Sequence, residues 1–201
     1  MSENENEPTK NKAEYFENYV MSHPLTFFDS FEDKELEIRD NILKGIFSYG
    51  FERPSPIQRI AIKPLKDGND MVIQSHSGTG KTATFTIGLL SRINEEEKCT
   101  QAIVICNTRE LALQTSKVFT SLASYTKITH KLCIGGDMQN RYMSNEINQH
   151  VIIGTPGRLC DLINKNMIIG DKIKMLIIDE ADDVLSIGFR KQIKRIFSGI
   201  P

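Results

Sequence analysis

No apolar run in this 201-residue sequence approaches the roughly 20 residues needed to cross a bilayer as a helix. The opening MSENENEPTKNK is polar and acidic, so it does not read as a secretory signal. The four cysteines, Cys99, Cys106, Cys133 and Cys160, contain no CxxC pair and no metal-ligand spacing. That pattern argues against a zinc module or a disulfide framework and for buried thiols in a reducing compartment. The four histidines are scattered, which also speaks against a metal cluster. There is no internal repeat.

What is present suits one globular domain. The chain is 39% hydrophobic and 25% charged, and it is long enough for a real core. The net charge of −1 hides a division. Residues 1–40 hold 11 acidic and 4 basic residues, a net of −7, and residues 41–201 hold 21 basic and 15 acidic, a net of +6. A basic body is compatible with a polyanionic ligand, although charge alone describes an ordinary solvated surface equally well. Residues 1–22 read as a passive, mobile acidic tail, and 23–201 as the folded domain.

Leu36, Ile38, Ile42, Leu43, Ile46 and Phe47 fall at helical spacings. Pro54 and Pro56 then punctuate the chain before a second helical stretch from Ile57. Short β-branched runs at 71–74, 102–106, 131–134, 151–153 and 175–178 predict strands. Helical patterns at 82–93, at 110–121 and after Arg158 separate them. Strands alternating with helices imply crossover connections: an α/β fold with a parallel sheet covered by helices on both faces. Ligands of such a sheet bind at the carboxyl ends of its strands.

Two patterns carry chemistry there. After the run at 71–74 comes Ser75-His76-Ser77-Gly78-Thr79-Gly80-Lys81-Thr82, followed by a helical pattern. A phosphate chain needs inward-turned N–H groups, which small residues permit, and a helix N-terminus aimed at the anion. Lys81 would contact the β- and γ-phosphates, and Thr82 would ligate Mg²⁺. The wider phosphate-loop pattern asks for glycine at 75, where this chain has Ser75. The second pattern is a buried run ending in Asp179-Glu180-Ala181-Asp182. An acid at a strand end beside a phosphate loop can hold Mg²⁺ through water, which is Asp179. Glu180 is placed to orient or deprotonate an attacking water.

These residues resemble the DEAD-box RNA helicases, whose signature is spelled by Asp179-Glu180-Ala181-Asp182. That family's phosphate loop reads A-x-x-G-x-G-K-T, with Ser75 here replacing the alanine. Gly50-Phe51-x-x-Pro54-x-x-Ile57-Gln58 matches the family's Q motif, and Phe31 is the best match to its upstream aromatic, two residues off the expected spacing. Asn107-Thr108-Arg109-Glu110-Leu111-Ala112 resembles P-T-R-E-L-A, with Asn107 for proline. Gly135-Gly136 and Thr155-Pro156-Gly157-Arg158 match two further elements. The segment 179–197 looks most like the translation-initiation factor 4A branch.

The resemblance implies a RecA-like, three-layer ATP-binding domain of an RNA-dependent ATPase and helicase. It implies ATP and Mg²⁺ as cofactors, with Lys81, Asp179 and Glu180 catalytic and Thr82 and Asp179 at the metal. Nucleotide contacts fall to Phe31, Phe51, Gln58, Ser77, Gly78, Thr79, Gly80, Lys81 and Thr82. Gln58 would read the adenine edge, since a carboxamide can both donate and accept there. RNA contacts fall to Thr108, Arg109, Gly135, Gly136, Thr155, Gly157 and Arg158, mostly with the backbone and little dependent on sequence. Asp182 would couple to a second RecA-like domain. Partners implied are RNA, that second domain and scaffolds of the initiation factor 4G type. The compartment implied is cytoplasmic, with the nucleus as the alternative. The family's S-A-T motif would begin shortly after Pro201, so the chain reads as a truncated form with little activity alone. The competing readings are an interaction module and a DNA-directed phosphate-loop ATPase. His76 reads as a variable loop position, and Arg190, Lys191, Lys194 and Arg195 as a solvated helix face.

Overall fold

A computed structural model of the chain describes residues 27–136, 146–185 and 188–200. The tail at 1–22 and residues 137–145, 186 and 187 lie outside the described residues. The elements run α1 (Asp40–Ser48), α2 (Pro56–Asp67), α3 (Lys81–Arg92), β1 (Ala102–Cys106), α4 (Arg109–Leu122), β2 (His130–Cys133), β3 (Val151–Gly154), α5 (Pro156–Asn164), β4 (Met175–Asp179), α6 (Ala181–Val184) and α7 (Arg190–Phe197). The four strands form one parallel sheet in the order β2-β3-β1-β4.

The sheet follows from period-two burial. Ala102, Val104, Cys106, Val151 and Ile153 face a core shared with α1, α3 and α4. Their neighbours Ile103, Ile105 and Ile152 face the opposite core, against Leu159, Leu162 and Ile163 of α5 and Ile193 and Ile196 of α7. Every residue of β1 is buried, as expected of a central parallel strand covered on both sides. Burying one such isoleucine fully is worth about 1.5–3 kcal/mol.

Local chemistry sets the helix ends. Pro56 occupies the first position of α2, where its missing N–H costs nothing, and Gly68 closes that helix at φ +93°. Thr108 caps α4 by accepting the Leu111 N–H at 3.1 Å. The amino ends of the strands are closed by buried polar side chains. Fully buried Gln101 accepts the Asn94 N–H at 3.0 Å and donates to Asn94 O at 2.8 Å. Thr100 donates to Gln149 O at 3.0 Å, and His150 Nδ1 accepts the Thr129 N–H at 3.0 Å.

One expected strand differs. Residues 71–74 run without a ladder and join no strand of the described sheet. Met71 and Ile73 pack on Ile57, Ile60 and Ala61 of α2, whereas Val72 is fully exposed. The run is apolar enough to bury one side only, and α2 supplies that surface. The carbonyls that follow, at Ser75 and His76, accept from Lys81. β4 consequently ends the sheet among the described residues. No disulfide joins the four cysteines; Cys106 and Cys133 are buried, and Cys99 and Cys160 are partly exposed. No described helix is long and apolar enough to cross a membrane.

Candidate functional site

Parallel pairing sends all four strands out at one edge, and the sequence-predicted residues follow directly. β1 leads into Asn107-Thr108-Arg109, β2 into Gly135-Gly136, β3 into Thr155-Pro156-Gly157-Arg158, and β4 ends in Asp179-Glu180. Cys106 and Asp179 are register partners, so the loops after β1 and β4 start side by side.

The phosphate loop closes onto the start of α3. Gly78 and Gly80 take φ +81° and +94°, values that suit glycine, and Gly80 is the residue before the helix. Lys81 Nζ donates to Ser75 O at 2.6 Å and to His76 O at 3.0 Å. Ser55, at the start of α2, donates from Oγ to Thr79 O at 2.9 Å. Gln58 is 2% exposed, and its Oε1 accepts the Ser55 N–H at 2.8 Å. A Cβ on Gly80 would lie 2.9 Å from Gln58 Nε2, so the Q-motif glutamine packs directly against the phosphate loop.

Asp179 is 7% exposed. Its Oδ1 accepts the Glu180 N–H at 3.1 Å, and its Oδ2 is buried with no hydrogen-bond partner. Burial first, and then the Glu180 charge, push the Asp179 carboxyl above the ordinary carboxylate range; the Glu180 N–H and Lys81 act in the opposite direction. That Lys81 acts on Asp179 places the phosphate loop and the acidic strand end in each other's field. Glu180 is exposed and held at φ +51°, an uncommon conformation for a residue with a side chain. Asp182 is exposed on the single turn of α6.

The aromatic assignments divide. Phe31 is fully buried in the core with Phe28, Leu36 and Ile42, and it offers no ring face to a ligand in this structure. Its position reflects burial of apolar surface, which it shares with Phe28 and Leu36. Phe51 is half-buried with its ring centroid 4.8 Å from that of Tyr49. Phe27 packs, as Met71 and Ile73 do, against Ile57, Ile60 and Ala61 of α2.

The three elements assigned to RNA meet at the same edge. Thr108 and Arg109 are exposed. The Arg109 guanidinium lies over the double glycine: a Cβ on Gly135 would sit 3.3 Å from its Nη2, and one on Gly136 3.0 Å from its Nη1. Glycine at both positions therefore makes room for the arginine, and Gly136 also needs φ +82°. Thr155 N–H donates to Cys133 O at 3.2 Å, tying the loop after β3 to the end of β2. Gly157 has open space where a Cβ would go. Arg158 is paired with Asp161 at 2.6 Å.

One contact was not legible beforehand. Asn107, at the proline position, donates from Nδ2 to Asp183 Oδ2 at 2.8 Å and bridges the loop after β1 to the helix after β4. Its departure from P-T-R-E-L-A was the only signal.

A glycine-rich loop at a helix start, facing an acidic strand end on a parallel sheet, marks the domain as RecA-like α/β. The chain belongs to the DEAD/DEAH box helicase family, whose model matches residues 55–201. The ATP-dependent RNA helicase eIF4A of Candida albicans is 48% identical over 168 residues, which cover 83% of this chain and 42% of that protein. Eukaryotic initiation factor 4A of Caenorhabditis elegans is 44% identical over 174 residues, covering 86% and 43%. Saccharomyces cerevisiae Dbp5 bound to RNA and ADP BeF3 superposes with a TM-score of 0.79 at 39% identity, over 87% of this chain and 44% of that one. A DEAD box protein from Methanococcus jannaschii gives a TM-score of 0.79 at 34% identity, over 87% and 48%. The chain thus spans less than half the length of each of these relatives.

Proposed function

We propose that this chain is the ATP- and RNA-binding domain of an ATP-dependent RNA helicase that couples ATP hydrolysis to RNA duplex unwinding or remodelling of RNA–protein complexes. The process favoured by its eIF4A-like relatives is translation initiation, in the cytoplasm. The observation that carries this reading is the register pair Cys106–Asp179, from which an RNA-type loop and the acidic strand end leave together.

Lys81 holds the β- and γ-phosphates once it exchanges its carbonyl partners for them, with Ser77, Gly78, Thr79 and Gly80 lining the loop. Gln58 turns its carboxamide to the adenine edge, next to Phe51. The unpartnered, buried Oδ2 of Asp179 suits a hard cation or its water, so the residues fit Mg²⁺. Thr82 and Asp179 would hold it, and when bound it neutralises developing charge on the phosphates. Glu180 orients and deprotonates the attacking water. Thr108, Arg109, Gly135, Gly136, Thr155, Gly157 and Arg158 grip the RNA backbone. Arginines of a second RecA-like domain, coupled through Asp182, complete charge stabilisation, and scaffolds of the initiation factor 4G type are the protein partners this reading implies.

The test is a titration with a fluorescent adenine nucleotide and Mg²⁺ against the wild-type chain, Lys81→Ala and Gln58→Ala. Adenine-selective binding lost in both variants is the expected result. A folded wild-type chain that binds no nucleotide, or a Lys81→Ala variant that binds normally, refutes the reading.

A further inference from the structure

The phosphate loop is braced on itself through Ser75, a position at which this chain departs from the alanine of the family pattern. Ser75 Oγ lies 2.7 Å from Thr79 Oγ1, and Thr79 Oγ1 lies 2.9 Å from the His76 carbonyl oxygen. A carbonyl only accepts, so the single hydroxyl proton of Thr79 points to His76. The proton between the two hydroxyls therefore comes from Ser75. The result is a directed chain, Ser75 to Thr79 to His76, drawn across the turn that must receive phosphate. Lys81 donates into that turn at the carbonyls of Ser75 and His76, and Ser55 secures the Thr79 carbonyl from outside.

Both side chains that face the turn, Lys81 and Thr79, thus have their hydrogen-bonding capacity directed inward. An arriving phosphate must draw Lys81 away from two carbonyls and let the loop relax around its own oxygens. Alanine at 75 would leave the Ser75 carbonyl in place, since the main chain is unchanged, but would release Thr79 from the near side of the turn. The hydroxyl pair is the removable part of the brace.

We propose that Ser75 is a positioning residue that latches the phosphate loop in this self-bonded form, so that it slows nucleotide entry and weakens binding. The proposal rests on the reading of this loop as the nucleotide site. A neutral hydroxyl–hydroxyl bond has a modest net worth, which corresponds to about a two- to tenfold change in affinity.

Stopped-flow association of a fluorescent adenine nucleotide with Mg²⁺ tests it, using the full chain as wild type, Ser75→Ala, Ser75→Thr and Lys81→Ala. The latch requires Ser75→Ala to bind about two- to tenfold more tightly, with the gain in the association rate. Ser75→Thr keeps the hydroxyl and should behave as wild type, which a role in packing alone would not reproduce. Wild-type binding that needs Lys81, together with unchanged or weaker binding by Ser75→Ala, overturns the latch and leaves the nucleotide site standing. A gain confined to slower dissociation also overturns it. If neither the wild type nor Ser75→Ala binds, the site reading falls and the latch falls with it.

Discussion

Replacing Asp179 by asparagine should stabilise the free protein while removing the cation-dependent part of nucleotide binding. The carboxylate is 7% exposed, one oxygen accepts the Glu180 N–H, and the other is buried without a donor. An unsatisfied buried polar atom costs about 1–3 kcal/mol, and a charge costs more. Asparagine keeps the shape and the Glu180 bond but discards the charge; its NH₂ remains unpaired, so only part of the cost is recovered. A net gain of about 1–2 kcal/mol is expected, and for a domain of this size that raises the melting temperature by roughly 2–8 °C. The assay is a thermal melt at pH 7.5 in a chelator, followed by the same melt with ATP and Mg²⁺. Ligand binding should raise the wild-type melting temperature and leave that of the variant almost unmoved. A variant that melts at or below wild type in the chelator would show that Oδ2 is satisfied, and the case for a cation there would collapse. The expected trade of stability for function is a common property of sites that hold charge in reserve.

The double glycine offers a paired test. Gly136→Ala should cost about 1–2 kcal/mol through its positive φ and displace Arg109, weakening single-stranded RNA binding in fluorescence anisotropy. Gly135→Ala meets Arg109 less closely, at 3.3 Å, and should leave the unfolding free energy within about 1 kcal/mol of wild type. Burial holds the His130 imidazole below its ordinary value of 6.5, with Nε2 2.8 Å from Ser116 Oγ. Its neutral form thus contributes stability that is complete above that ordinary value and is lost as pH falls through the lowered one. Melts between pH 7.5 and 5 should fall more steeply for wild type than for His130→Phe. Burial pushes the Cys106 thiol up to about 12, so a maleimide at pH 7.5 should label Cys99 and Cys160 in the folded protein and Cys106 only after unfolding, as mapped by mass spectrometry.

Much of the fold was legible because its signals are local. The run 102–106 is continuous and apolar and becomes β1 with those same bounds, and the prolines and helical spacings place α1 and α2. The run 71–74 carries the same local signal, yet α2 takes its apolar side and no ladder forms. Which surface a short apolar run meets is a tertiary matter. The same holds for Phe31, since an aromatic near a motif and an aromatic in a core read alike in sequence. The residues at the carboxyl edge could be named from their motifs, but not their partners. That Arg109 covers Gly135 and Gly136, that Asn107 reaches Asp183 and that Ser75 ties Thr79 depends on side chains brought together by the sheet.

The two ends of the strands differ in a way that matters for handling the protein. The amino ends are sealed by Gln101, Thr100 and His150, while the candidate binding residues leave from the carboxyl ends. Cys99, partly exposed just ahead of β1, sits at the sealed end. With Cys160 changed to serine, a tether on Cys99 would fix the domain to a surface or a force probe by its back. The nucleotide and RNA faces would then look outward, at the opposite end of the strands from the tether.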